Sequence, residues 1–197
     1  EDGSSLAYKG EEAIAVMPAT GISYDQVVYP FLDGYPERYD SNLDEAMGRI
    51  HWAALAHSPW DHAGEPDFWQ QLRQNALYLR ATSDRAIVLS AGCNLFEWGT
   101  FLRRIDNFLM DLKRTPTEVE RFLDALMIRH LASLEIICRA VGDVVDIIRL
   151  GDDLGMNTGP LMSPETYRSL FKPRHTLLCQ FIKQHSSMRT FLHSCGS

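Results

Sequence analysis

Three short apolar runs, AIVLS (86–90), VVDIIRL (144–150) and MRTFLH (188–193), stand far apart in the chain, and helical periodicity fills the connections between them. Runs of this length and residue type suit strands buried on both faces. Strands joined by long crossovers pair in parallel, because only such a connection brings the chain back in the same direction. The pattern predicts an α/β protein on a parallel sheet. An open doubly wound sheet and part of a barrel both satisfy it.

The connections carry their own signals. From Pro66, which suits a first helical turn, Phe68, Trp69, Leu72, Ala76, Leu77 and Leu79 recur at helical spacing. Phe101, Leu102, Ile105, Phe108, Leu109 and Leu112 predict one further helix. Thr115-Pro116-Thr117-Glu118 then offers an N-cap, a proline at the first helical position and a capping-box Glu. The helix it opens can run to Val141, where Gly142 supplies a stop. Ser163-Pro164-Glu165 opens another helix, which Pro173 is expected to kink or divide. Before Pro66 the chain is rich in turn formers: SLAY (5–8) and AIAVM (13–17) flank KGEE and suit a hairpin, while residues 21–36 read as a loop or meander.

Composition narrows the function classes. With 45% hydrophobic and 23% charged residues in 197, there is enough apolar material for one core. Nineteen Lys and Arg against 26 Asp and Glu give a net charge of −7, and no stretch clusters basic residues with aromatics, which disfavours a nucleic-acid or anionic-membrane partner. No apolar run approaches the roughly 18 residues of a membrane helix, and EDGSSLAYKG lacks the features of a signal peptide, so the expected compartment is the cytoplasm. Cys93, Cys138, Cys179 and Cys195 form no C-x-x-C pair and read as thiols.

Ligands bind at the carboxyl ends of parallel strands, where loops line the surface. Those ends carry Cys93, Asn94 and Glu97 after the first strand, Asp152, Asp153 and Asn157 after the second, and His193, Ser194 and Cys195 after the third. His193 and Cys195 lie two apart, so in an extended segment their side chains point to one side and could share an ion such as zinc. A buried strand-end Cys beside a hydrogen-bonded His is the alternative, and two ligands do not complete a tetrahedral site. Asp152 and Asp153 are candidate catalytic residues, as base, ligand or substrate anchor; turn chemistry is the competing explanation. Asn94, Glu97 and Asn157 are candidate substrate contacts. Asn94 as a helix cap and Glu97 as a partner of the helix dipole are the plainer readings.

The stretch GDDLGMNTGPLMSPETYRSLFKP (151–173), followed by FLHSCGS (191–197), resembles the uroporphyrinogen decarboxylase superfamily, in particular its branch similar to corrinoid-dependent methyltransferases. LFEWGTFLRRIDNFLMDLKRTPTEVERFLDAL (95–126) and VGDVVDIIRLGDD (141–153) follow that pattern in the same order. The likeness runs from about Ala86 to Ser197 and is fainter over residues 1–85. It implies a (β/α)8 TIM barrel. A chain of this length would be an incomplete piece lacking the first strand and the C-terminal half, with residues 1–197 forming a single partial domain.

The methyltransferase branch implies that His193 and Cys195 are zinc ligands, with a third ligand, a later Cys, beyond residue 197. The metal would activate a thiol or similar acceptor for a methyl group delivered by a corrinoid on a partner protein. The superfamily's decarboxylases of porphyrin biosynthesis work without metal, and their paired-arginine motif F-R-Q-A-G-R is not found in these residues. The expected function is therefore a zinc-dependent methyltransferase-like activity. A uroporphyrinogen decarboxylase and a non-catalytic ligand-binding barrel fragment are the alternatives, and metal content and turnover discriminate among the three. Exposed strand edges would favour self-association of the isolated piece.

Overall fold

The computed structural model describes residues 3–50 and 64–196. In chain order its elements begin with β1 (Ser5–Lys9), β2 (Glu12–Met17), β3 (Asp25–Gln26), α1 (Asp40–Gly48), α2 (Pro66–Thr82), β4 (Val88–Gly92), α3 (Phe96–Arg103) and α4 (Ile105–Arg114). They continue with α5 (Pro116–Val141), β5 (Ile147–Gly151), β6 (Gly155–Met156), β7 (Gly159–Pro160), the single turn α6 (Pro164–Thr166), a π-helical turn over Tyr167–Phe171, α7 (Lys172–His185) and β8 (Arg189–His193). Contacts divide them into two compact units, one of residues 3–50 and 97–122, the other of residues 64–96 and 123–196.

In the first unit β1 and β2 form the expected hairpin, turning at Gly10, whose φ of +59° suits a residue without Cβ. The short β3 adds a third antiparallel strand. Helix α1 had no clear signal, since only Leu43, Ala46 and Met47 mark its buried side. The single helix expected over 101–112 is instead two helices, broken at Arg104 with φ +67°. The Leu102 carbonyl accepts the Phe31 N–H, and the Arg103 guanidinium binds Asp111 together with the carbonyls of Phe31 and Leu32, so long-range partners outweigh helix continuation. Phe31, Tyr35, Tyr39 and Phe108 surround Phe122, with ring centroids about 6 Å apart. Any Cβ at Gly99 would lie 2.2 Å from the Phe108 ring, so this close packing requires glycine.

The second unit holds a parallel three-stranded sheet in the order β4-β5-β8. The structure is thus a mixed α/β one with the predicted strand direction. Burial on both faces, expected for all three strands, is not reached even in the central β5, where the buried Ile148 and Leu150 share one face and Ile147 and Arg149 on the other are half-buried. At the edges Val88 is 53% and Phe191 49% exposed, since β4 and β8 each have one strand neighbour among the described residues. Strand β4 also begins later than the run AIVLS suggested. The Asp146 carboxylate takes the Ile87 N–H, and the Ile87 carbonyl takes the N–H groups of Asp146 and Ile147.

Helix α5 runs to Val141 as predicted, and α2 buries only Trp69 and Ala76, leaving Leu77 and Leu79 half-exposed. Pro173 divides its helix through a π turn: with no proline N–H to continue the α ladder, the Lys172 N–H reaches back five residues to the Tyr167 carbonyl. Ser163 caps the start, its Oγ accepting the Thr166 N–H at 3.2 Å. Among the described residues no helix is long and apolar enough to cross a membrane.

Candidate metal centre

The register of β5 and β8 pairs Gly151 with His193, which brings the two strand ends side by side. Three hydrogen bonds then interlock the loops beyond them. The Asp152 N–H donates to the His193 carbonyl at 3.0 Å, the Leu154 N–H to Ser194 Oγ at 3.1 Å, and the Cys195 N–H to Asp153 Oδ1 at 2.7 Å. Gly196, with φ +86°, makes the approach possible: a Cβ there would lie 2.2 Å from the Gly155 carbonyl carbon.

This interlock gathers Asp153, His193 and Cys195 so that one ligand atom from each lies within 4.8 Å of the others. His193 Nε2 is 3.1 Å from Cys195 Sγ and 3.6 Å from Asp153 Oδ1. Imidazole nitrogen, thiolate sulfur and carboxylate oxygen are all zinc donors, and tetrahedral zinc with its usual bond lengths separates neighbouring donors by about 3.3–3.6 Å. The donor set and spacing therefore fit a zinc-sized ion. Asp153 and His193 are half-buried and Cys195 is exposed, so the cluster is open to solvent on one side.

The neighbouring carboxylate has a different environment. Asp152 is fully buried and accepts the N–H groups of Leu95, at 3.1 Å, and Phe96, at 2.8 and 2.9 Å, at the start of α3. A carboxylate in that position satisfies helix N–H groups that have no partner within the helix. His175 Nε2 lies 3.0 Å from Asp152 Oδ2, and Tyr167 Oη lies 3.4 Å from His175 Nδ1. Close by, His130 is buried and its Nε2–H donates to the Asn94 carbonyl at 2.9 Å. Burial holds the His130 imidazole well below its ordinary value, at about 4, against the opposing pull of the Asn94 carbonyl and the Asp152 charge. Cys93, buried with φ +56°, has its thiol pushed up to about 12 by desolvation and is no nucleophile at neutral pH.

The remaining sequence candidates fall outside the cluster of three. Asn94 is buried, and its side chain sits where a Cβ on Gly151 would meet it at 2.8 Å, so that glycine flanking the paired aspartates gives it room. Glu97 stands half-buried in the first turn of α3. Asn157 is exposed in the two-residue turn between β6 and β7. Sequence reasoning missed His130 and His175. Each occupies a position of an apolar helical stripe, a signal that a polar core residue has a buried partner.

No protein-family model matches the sequence, and no curated protein matches it. Among solved structures, a methyltransferase from Methanosarcina mazei is similar, with a TM-score of 0.50 and 19% sequence identity over 88% of this chain. The likeness is one of fold. The chain spans 43% of that protein's length.

Proposed function

We propose that this chain belongs to a zinc-dependent methyltransferase of the uroporphyrinogen decarboxylase superfamily, transferring a methyl group between a corrinoid protein and a thiol or similar small acceptor. The observation that carries this reading is the convergence of Asp153, His193 and Cys195 at the carboxyl ends of two adjacent parallel strands. The fold likeness to a methyltransferase supports it. In this reading residues 1–197 are one incomplete (β/α)8 domain of a cytoplasmic enzyme, and β4, β5 and β8 are three of its strands. The exposed edges of β4 and β8 favour self-association of the chain when it stands alone.

Asp153, His193 and Cys195 would hold the zinc. A bound zinc supplies Lewis acidity that lowers the pKa of a thiol and so makes it a nucleophile at neutral pH. The chain's own contribution is orientation. The Asp153 carboxylate accepts the Cys195 N–H, which anchors the backbone that carries the thiol, and its Oδ1 stands 3.6 Å from His193 Nε2. The exposed side of the cluster gives a substrate access, and Asn157, on the exposed turn that follows, is the candidate contact for it.

Metal analysis of the full-length protein tests the proposal. Near-stoichiometric zinc that disappears in His193→Ala and in Cys195→Ala is expected, with loss of methyl transfer in both. A metal-free protein that consumes uroporphyrinogen would replace this reading with the decarboxylase one, and turnover of neither substrate class would leave a non-catalytic barrel.

A further inference from the structure

We infer that Tyr167 and His175 are positioning residues for the metal centre, acting through the buried Asp152 carboxylate to set the place of Asp153 and His193. The inference rests on the metal-binding reading above and extends it to residues that touch no ligand atom of the cluster.

In an uninterrupted α-helix, residues eight apart differ by about 80° in direction, whereas residues seven apart differ by only about 20°. The π turn at Tyr167–Phe171 takes up one extra residue, so Tyr167 and His175 stand as if seven apart and share a face. Their rings lie 5.9 Å apart, and Tyr167 Oη reaches His175 Nδ1. His175 Nε2 meets Asp152 Oδ2 at 3.0 Å, with the imidazole 6% and the carboxylate 0% exposed. A carboxylate at Nε2 fixes a ring proton there, which leaves Nδ1 to accept the Tyr167 O–H.

Asp152 is the hub of this arrangement. Its carboxylate is tied to α3 through two backbone N–H groups and to α7 through His175, while its own N–H holds the His193 carbonyl. The next residue is Asp153. Any shift of the Asp152 side chain therefore moves the backbone that carries one proposed ligand and releases the carbonyl of another. Pro173, which favours the π turn, thus contributes to the alignment of a site it does not approach in sequence.

Cobalt(II) titration of the full-length protein at one neutral pH tests the role, read by affinity and by the sulfur-to-cobalt charge-transfer band. The wild type is expected to bind one cobalt with that band present. His175→Leu, which keeps volume and removes the donor, is expected to bind about tenfold more weakly, at the lower end of the effect of losing a residue that supports a metal ligand. His175→Gln, which restores an N–H donor, is expected to recover most of that loss, and Tyr167→Phe to bind about threefold more weakly. Arg174→Met, at the residue before His175 on α7, removes the 2.9 Å contact from Arg174 to Asp124 on α5 and the bond to the Leu170 carbonyl, and is expected to keep wild-type affinity.

Wild-type affinity in Tyr167→Phe and in whichever His175 variants fold would overturn the positioning role while leaving the metal centre intact. Equal weakening by Arg174→Met would overturn it as well, by showing a general loosening of α7. A wild-type protein that binds no cobalt would remove the metal reading itself, and the positioning role with it.

Discussion

Asp152 and Asp153 are adjacent in sequence and opposite in environment. The first is fully buried, with its carboxylate enclosed by two helix N–H groups and an imidazole; the second is half-exposed, beside His193 and the Cys195 N–H. Where an extended chain leaves a strand, successive side chains point to opposite sides, so one dipeptide serves the interior and the surface at once. The buried carboxylate fixes the strand end, and the exposed one contributes a donor atom. Doubling the acid at this place gives one carboxylate to the interior and one to the surface cluster with His193 and Cys195.

Substitution exposes that contrast most sharply. Asp152→Ala leaves the N–H groups of Leu95 and Phe96 and the His175 ring without their shared acceptor, and we expect a loss of about 3–5 kcal/mol in urea unfolding. Asp153→Ala is expected to change stability by less than about 1 kcal/mol. Similar losses in the two variants would contradict the opposite environments of the two carboxylates.

The buried side also predicts a pH dependence. The native His130 titrates at about 4 and an unfolded histidine near 6.5, so between these values the unfolded chain binds more protons and stability rises with pH. The contribution is complete above about pH 6.5 and is lost as pH falls toward 4. Between pH 7.5 and 5 this group removes about 2 kcal/mol. Urea unfolding across that range should show the slope in the wild type and a flatter profile in His130→Leu. An unchanged slope in that variant would assign the dependence to another group.

On the exposed side the expected effects fall on metal affinity. Asp153→Asn should stay within about 0.5 kcal/mol of wild-type stability and lose roughly 10–100-fold in zinc affinity, measured by competition with a chromophoric chelator. Retained affinity would restrict the site to His193 and Cys195. Smallest of all, Arg139→Ala, which removes an exposed ion pair with Glu135 one helical turn away, should cost about 0.3–0.5 kcal/mol, and a larger loss would mean that surface pairs matter more here than this account allows.

Much of the parallel sheet was legible because apolar run length and crossover length are local properties. The stop at Gly142, the cap at Ser163 and the division at Pro173 were legible for the same reason. The break at Arg104 was not, since it depends on partners more than seventy residues away at Phe31 and Leu32. Periodicity also could not tell central from edge strands, because exposure at Val88 and Phe191 follows from neighbours and not from residue type.

At the site, the H-x-C spacing marked His193 and Cys195, and the doubled Asp marked the loop. Their meeting depends on the register of β5 and β8, which no local signal encodes. His175 could be recognised as polar within the apolar stripe of Phe171, Leu178 and Ile182, but its partner Asp152 lies 23 residues earlier and only the fold joins them.

Zinc K-edge X-ray absorption on the zinc-loaded protein examines the proposed metal centre at the atoms concerned. One sulfur at about 2.3 Å together with nitrogen and oxygen neighbours at about 2.0–2.2 Å is the predicted shell, with the sulfur lost in Cys195→Ser. A shell of nitrogen and oxygen alone in the wild type would contradict the grouping of Asp153, His193 and Cys195 around one ion.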